Sequence, residues 1–170
     1  AKDIGRNTFQ FYATEMNTAT LDRLLMESNL RRALTQKEFI LQYQPLVNLE
    51  DGLVIGVEAL IRWQHPELGM IMPDKFIHVA EETGLINPIG DWVLCEACRQ
   101  AKVWCDEGLS PVVMAVNVAP VQFRQPGFVE MVAGALAASG LDAALLELEL
   151  TERTVMHDAD INLGTLSALH

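Results

Sequence analysis

Basic residues are scarce in this sequence, in which 12 lysines and arginines stand against 23 aspartates and glutamates for a net charge of −11. A long nucleic acid is therefore not an expected partner, because Lys and Arg must replace the phosphates' counterions for such binding. A small anionic ligand stays open if bound divalent cations reverse the local sign, and acidic side chains are what such cations seek. Long hydrophobic runs are missing too. No stretch approaches the roughly 18 apolar residues that span a bilayer, and the opening AKDIGRNTF lacks the apolar core of a secretory signal peptide. The segment reads as cytoplasmic. Its abrupt opening suits a piece of a longer chain, with room for a membrane tether or an upstream sensory domain. Cysteine is limited to Cys95, Cys98 and Cys105. The C-x-x-C pair raises redox chemistry or zinc, but it lies inside an apolar-periodic segment and has no second pair or nearby His to complete a tetrahedral site. That context fits core packing.

What is present is enough apolar material for one core: half of the 170 residues are hydrophobic, as expected of a globular domain. Leu21, Leu24, Leu25, Leu30 and Leu34 recur at helical spacing, with Asn17 or Thr18 as N-cap, and predict a connecting helix over 17–36. Ahead of it, a lone Phe9–Tyr12 strand has nothing to pack on, and residues 1–16 look like the end of another unit. Strands are predicted at Phe39–Leu49, Val54–Trp63, Val112–Ala119 and Leu145–Thr151. The first two are joined by the hairpin signal Glu50-Asp51-Gly52 and pair antiparallel. Helices are predicted at Pro73–Thr83, Pro88–Asp106 and Phe128–Ser139, each opened or closed by Pro or Gly. Strands alternating with helices imply a parallel α/β sheet, open or closed into a barrel.

Strand composition decides between those. Strands of an open doubly wound sheet are covered on both faces and read as almost wholly apolar. In Val54–Trp63, by contrast, Val57, Ala59, Ile61 and Trp63 alternate with Glu58, Leu60 and Arg62. In the next strand Met114, Val116 and Val118 alternate with Ala115, Asn117 and Ala119, and in the last Leu146, Leu148 and Leu150 alternate with Glu147, Glu149 and Thr151. One face is an apolar wall. The other carries carboxylates, an amide and a guanidinium near strand C-termini, which is where a (β/α) barrel builds its active site. Glu58, Asn117 and Glu149 are oxygen donors of the kind preferred by Mg²⁺, Mn²⁺ or Ca²⁺. Taken singly, each reads as a solvated residue at a strand end; together they point to a hard-metal site.

Glu58-Ala59-Leu60 within VEALIRWQHPELG resembles the signature of EAL-domain cyclic di-GMP phosphodiesterases. LQYQP at 41–45, IMPDKFIHVAEETGLI at 71–86, VNVAPVQF at 116–123 and LELELTE at 146–152 resemble further blocks of that family in its order and spacing. AKDIGRN at 1–7 is similar to the last strand and turn of a GGDEF (diguanylate cyclase) domain, although the cyclase signature itself is absent. The resemblance implies hydrolysis of one phosphodiester bond of cyclic di-GMP to linear pGpG, with Mg²⁺ or Mn²⁺ as cofactor and Ca²⁺ inhibitory. It makes Glu58, Asn117 and Glu149 the metal-binding and catalytic residues. Gln44, Leu60, Arg62, Pro73 and Asp74 become the dinucleotide contacts, and Glu152 joins the catalytic set as a brace for the loop linking the metal site to the dimer surface. The family's next strand carries an Asp-Asp pair, followed by a Lys and later a Glu and a Gln, none of which is in this sequence.

The expectation is therefore an incomplete EAL domain over 37–170, folded as a partial TIM-like barrel with an antiparallel first strand and truncated after about four strands. Taken alone, it is expected to be inactive and to associate as a homodimer or other self-assembly. A catalytically inactive receptor for the same dinucleotide is the alternative function. His65 and His78 read as loop and helix residues without a direct chemical role, and nothing singles out His157 or His170.

Overall fold

The structure, a computed structural model, describes residues 14–150 and 159–169. Helix α1 (Thr14–Gln36) leads into a hairpin of β1 (Phe39–Val47) and β2 (Val54–His65), followed by the short β3 (Gly69–Ile71). Helices α2 (Pro73–Thr83) and α3 (Ile86–Asp106) come next, then β4 (Val113–Asn117), the single turn α4 (Pro120–Phe123) and α5 (Phe128–Ser139). A 3₁₀ turn (Ala143–Leu145), β5 (Leu146–Glu149) and α6 (Ala159–Leu169) complete the described elements. Among the described residues five strands form one sheet in the order β1-β2-β4-β5, with β3 on β2. β1 and β2 are antiparallel, whereas β2-β4 and β4-β5 are parallel. This is the expected mixed α/β half of a barrel wall, an open sheet.

The core lies between the apolar face of the sheet and the helices. Trp63, Phe76, Met114 and Cys98 are fully buried. The Phe39 ring sits about 6 Å from each of Trp63, Phe76 and Trp92, within the range in which aromatic pairs add to their burial. α1 is fastened at two places. Arg23 pairs with Glu82 of α2 at 2.7 Å. At the other end, Arg32 Nε donates to Glu38 at 3.1 Å, and the Trp63 indole N–H donates to the same carboxylate at 2.9 Å. Burial alone would raise the Glu38 pKa, but these donors, with the Arg32 charge nearby, hold it below the ordinary value.

Boundaries moved where local chemistry overrides periodicity. β1 stops at Val47 because its register shifts there and Asn48 turns to accept the Glu50 N–H at 2.9 Å. α3 starts two residues before Pro88, whose missing N–H falls in the first turn and costs nothing there. α1 begins at Thr14, so the last residues assigned to a preceding unit are helical; the Phe9–Tyr12 strand lies outside the described residues. β3 was not foreseen, since three residues carry no periodicity. It exists because His65 is the last residue of β2 and not a loop residue: its Nδ1 accepts the N–H groups of Glu67 and Leu68 at 3.1 Å each, closing the turn into Gly69.

Candidate functional site

Ladder register carries the polar residues of four strands onto one face. Gln44 stands opposite Glu58, Glu58 opposite Ala115, and Ala115 opposite Glu147. One step toward the C-terminal ends, Asn117 stands opposite Glu149. Alternation puts Leu60 and Arg62 on the same side, and their neighbours Ala59, Ile61 and Trp63 toward the helices. The face that the sequence reading assigned to Glu58, Asn117 and Glu149 is therefore assembled by the pairing itself.

The side chains meet across strands. Asn117 Nδ2 donates to Glu58 Oε1 at 2.6 Å. Glu149 has its pKa raised, first by partial burial and then by the negative charges of Glu58 and Glu147. Two carboxylates and an amide oxygen thus converge where negative charge is already in excess. Such a donor set suits a hard divalent cation, which would relieve the repulsion. Among the described residues no cluster of three or more His, Cys, Asp or Glu forms a metal site. The residues present fit the divalent ion that the family resemblance implies.

Arg62 is held in place before any ligand arrives. Its Nε donates to Gln42 Oε1 at 2.9 Å and its Nη1 to the Ile61 carbonyl at 2.8 Å, leaving N–H donors free for an anion. Gln42 was not foreseen as a site residue. Its position two residues before Gln44, hence on the same face, was the available signal. A cleft of about 350 Å³ opens between the C-terminal ends of β2 and β4 and helices α2 and α3, with the helix-facing Ala59 and Ile61 in its wall. Leu60, Pro73 and Asn117 line it together with the apolar Ile77, Ile86, Ile89 and Val93. An apolar slot with a few polar groups at its edge is the usual form of a small-molecule site.

The remaining expected site residues divide. Asp74 is exposed, 3.6 Å from Lys75, and Gln44 is exposed on the polar face. Glu152, His157 and His170 lie outside the described residues. His78 is exposed on α2, while His65 is buried and lies 3.0 Å from Arg32 through Nε2. Cys95, Cys98 and Cys105 are free thiols on α3.

The EAL domain model matches residues 27–170. The chain belongs to the EAL family. Its match begins inside α1, so the family unit includes that helix's second half. The chain is 46% identical over 169 residues to the Pseudomonas aeruginosa protein named bifunctional diguanylate cyclase/cyclic di-GMP phosphodiesterase MucR, covering 99% of this chain and 25% of that protein. It is 38% identical to the cyclic di-GMP phosphodiesterase NbdA of the same organism, covering 99% of this chain and 22% of NbdA. The solved structure of the MucR phosphodiesterase in complex with cyclic di-GMP superposes with a TM-score of 0.82 at 46% identity, over 85% of this chain and 59% of that one. The chain thus spans about a quarter of the length of these curated relatives.

Proposed function

We propose that this chain forms part of a cyclic di-GMP phosphodiesterase domain that hydrolyses the dinucleotide to linear pGpG with Mg²⁺ or Mn²⁺. The observation that carries it is the convergence of Glu58, Asn117 and Glu149 beside Arg62 on one sheet face, in a family whose members MucR and NbdA are named as phosphodiesterases of this dinucleotide.

Glu58 and Glu149 contribute carboxylate oxygens to the cation. With Asn117 Nδ2 committed to Glu58, the Asn117 Oδ1 atom is the one left to face it. When bound there, the ion supplies the charge that polarises the phosphoryl oxygens and acidifies a water. Arg62, oriented by Gln42, pairs with a ligand phosphate through its remaining N–H groups, a geometry suited to guanidinium. Leu60 and Pro73 give a base or sugar apolar contact in the cleft. Gln44 and Asp74 supply polar contacts to the dinucleotide, and Glu152 supports the segment after Glu149.

Wider features of the parent protein follow the same reading. Residues 1–16 are the tail of a GGDEF domain, a view supported by the MucR match, which extends ahead of residue 27. The segment works in the cytoplasm and self-associates through the sheet edges that have no neighbouring strand among the described residues.

The test is chromatographic detection of pGpG from cyclic di-GMP, made by the domain in its parent protein with Mg²⁺ or Mn²⁺ and suppressed by Ca²⁺. The 170-residue chain alone is expected to show little turnover, because ligands from later strands complete the family's set. Tight binding without turnover in the parent protein would decide for a receptor, and neither binding nor turnover would overturn both readings.

A further inference from the structure

Gln122 is a polar side chain in an apolar setting, only 6% exposed. It sits on the one-turn helix α4, directly after the strand that delivers Asn117. Its Oε1 accepts the Ala119 N–H at 3.1 Å, so the residue two beyond Asn117 is tied down by a side chain. The residue between them is tied as well: Val118 N–H donates to the Glu149 carbonyl at 3.0 Å.

The Gln122 amide occupies its place because α3 has no side chain there. A Cβ built on Gly90 would stand 1.6 Å from Gln122 Nε2, 2.4 Å from Cδ and 2.8 Å from Oε1. No alanine fits that position while Gln122 keeps its place. Gly90 is helical and has no positive φ; the close approach of the amide, and no turn, requires glycine at this point.

We propose that Gln122, seated on Gly90, is a positioning residue that fixes the exit of β4 and with it the Asn117 side chain at the metal site. The inference rests on the functional reading above. Asn117 is then constrained on three sides: by Glu58 at its side chain, by Glu149 through Val118, and by Gln122 through Ala119. Supports of this kind, one step behind a ligand, govern metal affinity because they set the ligand's orientation before the ion arrives. The competing role is a helix cap for α4 with no influence on the site.

The two roles separate by measurement. Gln122→Met keeps the length and removes the acceptor. In the parent protein, Mn²⁺ binding followed by the electron-spin signal of free Mn²⁺ is expected to weaken about tenfold. Hydrogen exchange at the Ala119 amide is expected to accelerate in parallel. Because a single variant can unfold, the pair Gly90→Ala with Gln122→Ala is the second test: the new methyl fills space vacated by the amide. This double variant recovers melting temperature relative to Gly90→Ala while its Mn²⁺ affinity stays low. Unchanged Mn²⁺ binding in folded Gln122→Met, or recovery of both stability and Mn²⁺ affinity in the double variant, overturns the positioning role alone. A parent protein whose native domain binds neither Mn²⁺ nor cyclic di-GMP overturns the functional reading together with it.

Discussion

Asn117 Nδ2 donates to Glu58 Oε1 at 2.6 Å, joining residues 59 positions apart in the chain across adjacent parallel strands. An amide placed between two acidic strands gives Glu58 a donor and leaves its own oxygen to act as an acceptor. Asn117→Asp replaces that donor with a third negative charge, so the metal-free chain is expected to melt lower than the native one and to be rescued by Mn²⁺. Asn117→Ala and Glu58→Gln are expected to reduce pGpG formation by the parent protein on the order of 10²-fold, at least what losing an outer-shell support costs. Circular dichroism and product chromatography on the same samples test both. Full activity in folded Glu58→Gln would remove that residue from the site.

Glu149 gives a pH signature. Burial, then Glu58 and Glu147, raise its folded pKa above the ordinary 4.5, so the folded chain holds this proton more tightly than the unfolded one. Stability from the protonated form is present below the unfolded value and is lost as pH rises through the folded value. At pH 7 without divalent ions, Glu149→Gln is therefore expected to melt above the native chain, with the two converging at about pH 4 and below. Added Mn²⁺ should raise the native melting point and leave that of the variant nearly unchanged. Thermal melts across that pH range decide it, and a lower melting point for Glu149→Gln at pH 7 contradicts it.

Arg62 and Gln42 form a second couple on the same face. Arg62→Lys keeps the charge and loses the planar fork, so cyclic di-GMP affinity is expected to drop about tenfold. Gln42→Ala removes only the support on Nε and should cost about fivefold, the worth of one hydrogen bond. Calorimetric titration orders the two, and equal losses would mean that Gln42 contacts the ligand itself.

The cysteine pair is separable by reactivity. Cys95 is exposed, whereas Cys98 is fully buried with a pKa pushed up to about 11 by burial and by the neighbouring Cys95. Iodoacetamide at pH 8 is expected to label Cys95 in the native chain and Cys98 only after denaturation. Peptide mass spectrometry reads the pattern. Retained Zn²⁺ that shields both thiols would restore a metal role for the pair.

Much of this was legible in the sequence because the relevant signals are short-range. The alternation Glu58, Leu60, Arg62 against Ala59, Ile61, Trp63 states which face each residue joins, and Pro73 and Gly84 bracket α2 at the expected residues. Long-range pairings were not legible. Nothing local says that Arg62 meets Gln42, that Gln122 lies on Gly90, or that His65 closes a turn beside Arg32, since each depends on register or helix placement set by the whole core. The segment 151–158 carries Glu152 and lies outside the described residues, so its expected bracing role stays a proposal.

Ala115 stands between Glu58 and Glu147 in the ladder and is fully buried, yet it lies outside the cluster packed beneath the helices. It is the smallest side chain in a row of long ones, and its methyl has no surface left to offer a ligand. A valine at 115 would keep every charge on the face, yet its extra volume would have to be taken from the side chains that flank it. The spacing of the carboxylates on the two neighbouring strands is thus set by one small residue as well as by their charge.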